Sequence, residues 1–144
     1  MKGKNLIILI LSFLLVVSCF IMLAQQTTKK TLKPQDKLVV LWTSGDKEVA
    51  LKMAFMYTYN SKKYGWWDDI TLVVWGPSAK LLSQDKELQD YIKKIKNSGV
   101  TVKACKGCSD MYGVSNQLEE MGIIVKYMGE LTNYLKEGRH ILTL

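Results

Sequence analysis

The 144-residue sequence predicts an α/β protein: a three-layer α/β/α sandwich with a mainly parallel five-stranded sheet, preceded by one N-terminal transmembrane or signal segment. Short continuous apolar runs recur along the chain, each closed by a turn, as strands buried on both faces do. Stretches of helical period separate them, so strands alternate with crossover helices and the pairing is parallel. A charge-free stretch, Leu6 to Ala24, stands apart at the N-terminus, with nothing more polar than Ser12, Ser18 and Cys19.

Taken in order, Lys37 to Trp42 is the first strand and ends at the turn formers Thr43, Ser44, Gly45 and Asp46. Ile70 to Trp75 is the second and closes at Gly76, Pro77 and Ser78. Val100 to Ala104 is the third and runs into Cys105, where a helix is expected to start; Ile123 to Tyr127 and His140 to Leu144 are the fourth and fifth. Val49 to about Lys63 places Ala50, Met53, Ala54 and Tyr57 on one helical face. A helix over Leu81 to Asn97 presents Leu81, Leu88, Ile92 and Ile95 and stops near Gly99. Shorter helices over Ser115 to Glu120 and Glu130 to Glu137 end at Gly122 and Gly138.

The leading segment divides the chain into an anchor or signal over 1–24, a polar lysine-rich tether over 25–35 and a folded domain over 36–144. At about 1.5 Å per residue, Leu6 to Ala24 roughly spans a bilayer core as a helix. Cys19 follows Val16, Val17 and Ser18 as a lipidated cysteine would, but the apolar continuation Phe20 to Leu23 favours a retained anchor. Either outcome places the domain on a membrane. The usual orientation of a short N-terminal anchor puts it outside the cytoplasm, whereas the lysines at 29, 30, 33 and 37 point the other way.

The formal charge of +7 is misleading as a nucleic-acid signal. From residue 35 onward 15 basic side chains face 13 acidic ones, far from the bias that backbone binding to DNA or RNA requires. The domain is long enough for one core without disulfide staples, and it holds only two of the three cysteines.

Those two form the chemical centre of the sequence. Cys105 and Cys108 stand at the carboxyl end of a strand, the edge where parallel sheets gather ligands and reactive groups, together with Thr43, Ser44, Gly45, Gly76 and Ser78 as candidate ligand-binding turn residues. A helix start and the neighbouring Lys103 and Lys106 are expected to depress the Cys105 pKa and favour its thiolate. A Cys-x-x-Cys pair supports sulfur carriage or thiol exchange, the first thiol attacking and the second resolving; a buried inert pair is the bland alternative. No metal site or cofactor is expected, because the only histidine, His140, and scattered carboxylates do not complete a zinc tetrad, and no dinucleotide or phosphate-loop fingerprint is present. Trp42 and Trp75, at strand ends, are candidates for a ligand pocket, while Trp66 and Trp67 in a loop read as a subunit contact.

The order of Leu41-Trp-Thr-Ser-Gly-Asp46, Val74-Trp-Gly-Pro-Ser-Ala-Lys80, Ala104-Cys-Lys-Gly-Cys108 with Tyr112-Gly-Val114, and Val125-Lys-Tyr-Met-Gly-Glu130 resembles the DsrE/DsrF-like family over nearly all of 37–144. The resemblance implies a small α/β sandwich that assembles as a trimer or hexamer. It also implies sulfur relay with a protein donor or acceptor, a persulfide being held on a cysteine after the third strand, eight residues before a glycine. Cys105 and Gly113 have that spacing. The chain adds Cys108 and the N-terminal segment to the pattern. The reading that follows is a membrane-tethered sulfur carrier or thiol-exchange domain, with a non-catalytic oligomeric binding module as its alternative.

Overall fold

A computed structural model describes residues 36–144; the expected anchor over 1–24, the tether over 25–35 and Cys19 lie outside the described residues. Strands β1 (Lys37–Trp42), β2 (Asp69–Val74), β3 (Thr101–Cys105), β4 (Ile124–Lys126) and β5 (His140–Thr143) form one sheet in the order β4-β3-β2-β1-β5. All four pairings are parallel. Among the described residues no helix is long and apolar enough to cross a membrane.

The helix after β1, here α1, starts over Lys47–Val49, winds as a π-helix over Ala50–Phe55 and returns to α over Met56–Lys63. It is followed by α2 (Pro77–Gln84), α3 (Lys86–Asn97), α4 (Lys106–Met111), α5 (Ser115–Glu120) and α6 (Gly129–Lys136). Alternation along the strands sends Leu38, Val40, Trp42, Ile70, Leu72, Val74, Val102 and Ala104 to one face, where α1, α2, α3 and α5 bury Phe55, Leu82, Ile92, Ile95 and Leu118 against them. The opposite face carries Val39, Leu41, Val73 and Cys105 under α6, which contributes Tyr134 with Met128 just before it. The sandwich is therefore lopsided, with most helices on one side and one eight-residue helix on the other.

Three expectations change. The helix expected over Leu81 to Asn97 is two helices: Pro77 opens the first at its N-terminal turn, and extended Asp85 ends it and caps the second, its carboxylate accepting from the Leu88 N–H at 3.1 Å. In α1 the buried set is Ala50, Ala54, Phe55, Thr58 and Ser61, while Met53 is exposed. The π winding takes more residues per turn than an α-helix, so a face drawn at α-helical spacing drifts off the core. Trp42 is fully buried and packs edge-to-face on Phe55 at 4.8 Å between ring centres, so it is a core residue and lines no ligand pocket.

Candidate functional site

Topology alone makes the end of β3 a special place. The chain leaves β3 through α4 and α5 on the crowded face, and leaves β4 through α6 on the sparse one. Neighbouring strands whose connections diverge to opposite faces leave a gap outside their carboxyl ends, and ligands favour such switch points. Cys105, the last residue of β3, pairs with Lys126, the last of β4, at this divergence.

Local chemistry builds the turn that presents the thiols. Cys105 is extended (φ −69°, ψ 112°) and α4 starts at the next residue, so the backbone bends sharply beneath its sulfur. Buried Ser109 fixes the bend by donating its hydroxyl to the Cys105 carbonyl at 2.9 Å. Gly113 ends the helix at φ +69°, where its N–H reaches the Asp110 carbonyl at 3.0 Å and the Val114 N–H reaches that of Ser109 at 2.9 Å. The left-handed backbone there favours glycine, which gives the eight-residue Cys-to-Gly spacing a structural cause.

The two thiols are unequal. Cys105 is 7 % exposed within the cluster of Val39, Leu41, Val73, Met128 and Tyr134, whereas Cys108 is half-buried at the margin of that cluster. Both are free thiols. Burial is the largest influence on Cys105 and pushes its pKa up; the Cys108 amide pulls the other way, while the neighbouring Cys108 side chain again favours the protonated form. The amides of Cys108 and Gly107 draw on the sulfur electrostatically, but none closes into a side-chain capping bond. The net shift is upward, opposite to the depression expected from the sequence.

The lysines explain part of this reversal. Lys106 spends its charge on Asp110, with both carboxylate oxygens within 2.9 Å, and Ser115 also donates to that carboxylate at 2.6 Å. Lys103 shares the Cys105 face of β3, but its ammonium donates to Glu130 and to the Tyr134 hydroxyl, each at 2.7 Å. Burial lowers Lys103 and raises Glu130; the hydrogen bonds between them outweigh it, leaving the lysine above and the carboxyl below their ordinary values. This ion pair and Lys126, 3.2 Å from the same carboxylate, fasten α6 over β3 and β4 beside the thiols. The sequence reading missed the fastening residues Lys103, Glu130 and Tyr134 as a set. The signal was available in the two-residue alternation that puts Lys103 and Cys105 on one face, but their partners lie 27 and 31 residues away.

The turn residues at the same sheet edge are engaged in the backbone. Thr43 donates both its N–H and its hydroxyl to the Leu144 carbonyl, at 2.7 and 3.0 Å, and the Ser44 N–H reaches the same oxygen at 3.3 Å. The Ser44 hydroxyl accepts from the Asp46 N–H at 3.0 Å, and Asp46 caps α1. Gly45 lets this turn approach α2 closely, because a Cβ there would stand 3.2 Å from that of Pro77. Ser78 is buried; its hydroxyl donates to the Trp42 carbonyl at 2.7 Å and accepts from the Trp75 N–H at 3.0 Å, stitching β1 to β2 just after Gly76. Trp75 packs on the cluster that holds Cys105, so of the two strand-end tryptophans it alone borders the thiols.

Two of the concavities among the described residues bear on the sequence candidates. An apolar groove of about 400 Å³ runs between α1 and the β5 edge, lined by Met53, Met56, Tyr57, Trp66, Leu142 and Leu144 among others. A polar cleft of about 270 Å³ on the sparse face is bordered by Asp69, Lys103, Glu130 and Arg139. Trp66 is 56 % exposed and stacks on Tyr64 at 5.8 Å, whereas Trp67 is packed against His140 at 5.0 Å and donates to the Tyr57 hydroxyl at 3.4 Å. Only one of the paired tryptophans is thus presented outward. Among the described residues no group of three or more histidine, cysteine or acidic side chains is placed to hold a metal ion.

A fully parallel five-stranded sandwich with a cysteine at the β3 switch point defines a class of small α/β domain. The model of the DsrE/DsrF-like family matches residues 36–144, and the chain belongs to that family. Among solved structures it is similar to a conserved protein of unknown function from Bacteroides thetaiotaomicron, with 43% sequence identity, a TM-score of 0.74 and coverage of 76% of this chain and 95% of that one. It also resembles the ychN protein from E. coli in fold, at 17% identity and a TM-score of 0.61, over 76% of this chain and 99% of that one. No curated protein matches the chain.

Proposed function

We propose that the domain carries sulfane sulfur as a persulfide, or exchanges thiols, at the Cys105–Cys108 pair, with Cys105 as the holding residue and a protein as donor or acceptor. The observation that carries this reading is the placement of Cys105 at the β3 switch point with a second thiol, Cys108, packed against the same cluster. Family membership supports it, since the fold is one that serves sulfur relay. A covered sulfur site suits a persulfide, which is lost to solvent thiols when exposed. The apolar segment Leu6 to Ala24 would hold the domain at a membrane, and the exposed Trp66 and Tyr64 would support assembly into a trimer or hexamer.

The test is direct. The full chain is incubated with glutathione persulfide, desalted and washed with a small thiol, and the retained sulfur is located by mass spectrometry. One extra sulfur on the Cys105 peptide is expected, with none retained by Cys105→Ser. A parent chain that never retains sulfur overturns the reading.

The burial of Cys105 and its raised pKa specifically favour a second reading, a non-catalytic oligomeric binding module whose thiols are structural. The apolar groove beside α1 would then be the working surface. Failure of sulfur retention, with groove variants altering assembly, would select it.

A further inference from the structure

We infer that Cys108, not Cys105, is the thiol that receives sulfur from outside, and that Cys105 takes it in a second, internal step. The inference rests on the persulfide-carrier reading above and assigns the order of events within it.

Accessibility carries the argument. Cys105 is 7 % exposed, walled by Val39, Leu41, Val73, Met128 and Tyr134, with α6 pinned above by Glu130 between Lys103 and Lys126. Attack on an external persulfide requires the nucleophile, the sulfane sulfur and the leaving sulfur to lie nearly in line, which a covered thiol cannot offer without moving its walls. Cys108 lies three residues on, one helical turn along α4, half-buried and packed at the margin of the same cluster that holds Cys105. It can face a donor on one side and Cys105 on the other.

Both steps balance without an oxidant or reductant. The Cys108 thiolate attacks the outer sulfur of a donor persulfide R–S–S–H; the new bond forms on Cys108, the donor S–S bond breaks, and R–S⁻ leaves with the electron pair. The Cys105 thiolate then attacks the outer sulfur of the Cys108 persulfide, giving the Cys105 persulfide and restoring the Cys108 thiolate. Each transfer is an exchange between thiolate and persulfide, so no net redox change occurs. The inward step carries the sulfur to the less exposed position, where competing thiols have least access.

Trypsin cuts after Lys103 and Lys106, so the two cysteines fall on different peptides and the sulfur can be assigned to either. Full-chain parent, Cys108→Ser and Cys105→Ser are mixed with glutathione persulfide, quenched by alkylation over a time course and digested. In the parent, sulfur is expected first on the Cys108 peptide and then on the Cys105 peptide. Cys105→Ser should still load Cys108 but lose the sulfur to a thiol wash. Cys108→Ser should load Cys105 slower by about tenfold or more, the order expected when the accessible nucleophile is removed. If Cys108→Ser loads Cys105 at the parental rate, the order is overturned while the carrier reading stands. If the parent loads neither cysteine, the carrier reading falls and the order with it. Limiting iodoacetamide on the unaltered chain is a check that no misfolded variant can confuse: the Cys108 peptide should be marked before the Cys105 peptide, and the reverse order also overturns the inference.

Discussion

At Cys105 burial and local dipoles oppose each other, and burial wins. A thiol with a raised pKa is mostly protonated near neutrality, so its alkylation in the native chain should be slow at pH 7 and accelerate only above about pH 8.5, the ordinary thiol value. Measured pseudo-first-order rates on the Cys105 peptide across pH 6 to 10 check this, and a rate already at its plateau at pH 7 would contradict it. The same shift has a stability consequence. Because the folded pKa lies above the unfolded one, Cys105 contributes stability that is complete below the unfolded thiol pKa and is lost as pH rises through the folded value. Denaturant titrations should therefore show a steeper alkaline decline in the parent than in Cys105→Ser.

At the scale of elements, α6 is held over β3 and β4 by Glu130, Lys103 and Lys126. Replacing Lys103 by Met leaves a largely buried carboxylate short of its closest partner, and stability should fall by about 3 kcal/mol, more than for loss of an exposed pair. The Glu130 carboxyl is held below its ordinary value, so its contribution is present above the unfolded pKa and disappears as pH falls through the folded one. The acid limb of the stability curve should be shallower in Lys103→Met than in the parent, a difference readable by urea denaturation between pH 3 and 6. The break between α2 and α3 makes a separate prediction. Asp85→Ala removes the α3 cap and the partner of Lys47 at 2.8 Å, and about 1 kcal/mol should be lost, mostly from the cap because the ion pair is exposed to solvent. A variant with unchanged denaturation midpoint would show that the two helices do not depend on this residue.

For the whole molecule, the outward groove and Trp66 bear on assembly. Trp66 and Tyr64 form a stacked exposed pair just past the end of α1, and Trp66 lines the apolar groove with Met53 and Met56. Trp66→Ala should shift sedimentation toward smaller species, with a cost of about 2 kcal/mol per contact typical of an aromatic anchor. Trp67→Ala should instead lower stability, because that ring packs inward on His140 and Tyr57. A parent that remains monomeric at high concentration would remove self-association from the proposal. The solved relative at 43% identity spans little beyond the matched region, since 76% of this chain covers 95% of it, so residues 36–144 are expected to fold alone and melt cooperatively.

By itself the sequence determined the layer architecture, because that depends on periodicity within short windows. Five apolar runs closed by turns became five parallel strands, with ends moved by a residue or so, and Cys105 fell at the strand end expected of it. Tertiary structure decided what no local window contains. The π turn rotated Met53 out of the core, Phe55 claimed Trp42, and the long-range partners of Lys103 withdrew its charge from the thiol. The sign of the Cys105 shift followed, since electrostatics at a site are set by what surrounds it in space, and burial under a helix 24 residues further along the chain outweighs a lysine next door.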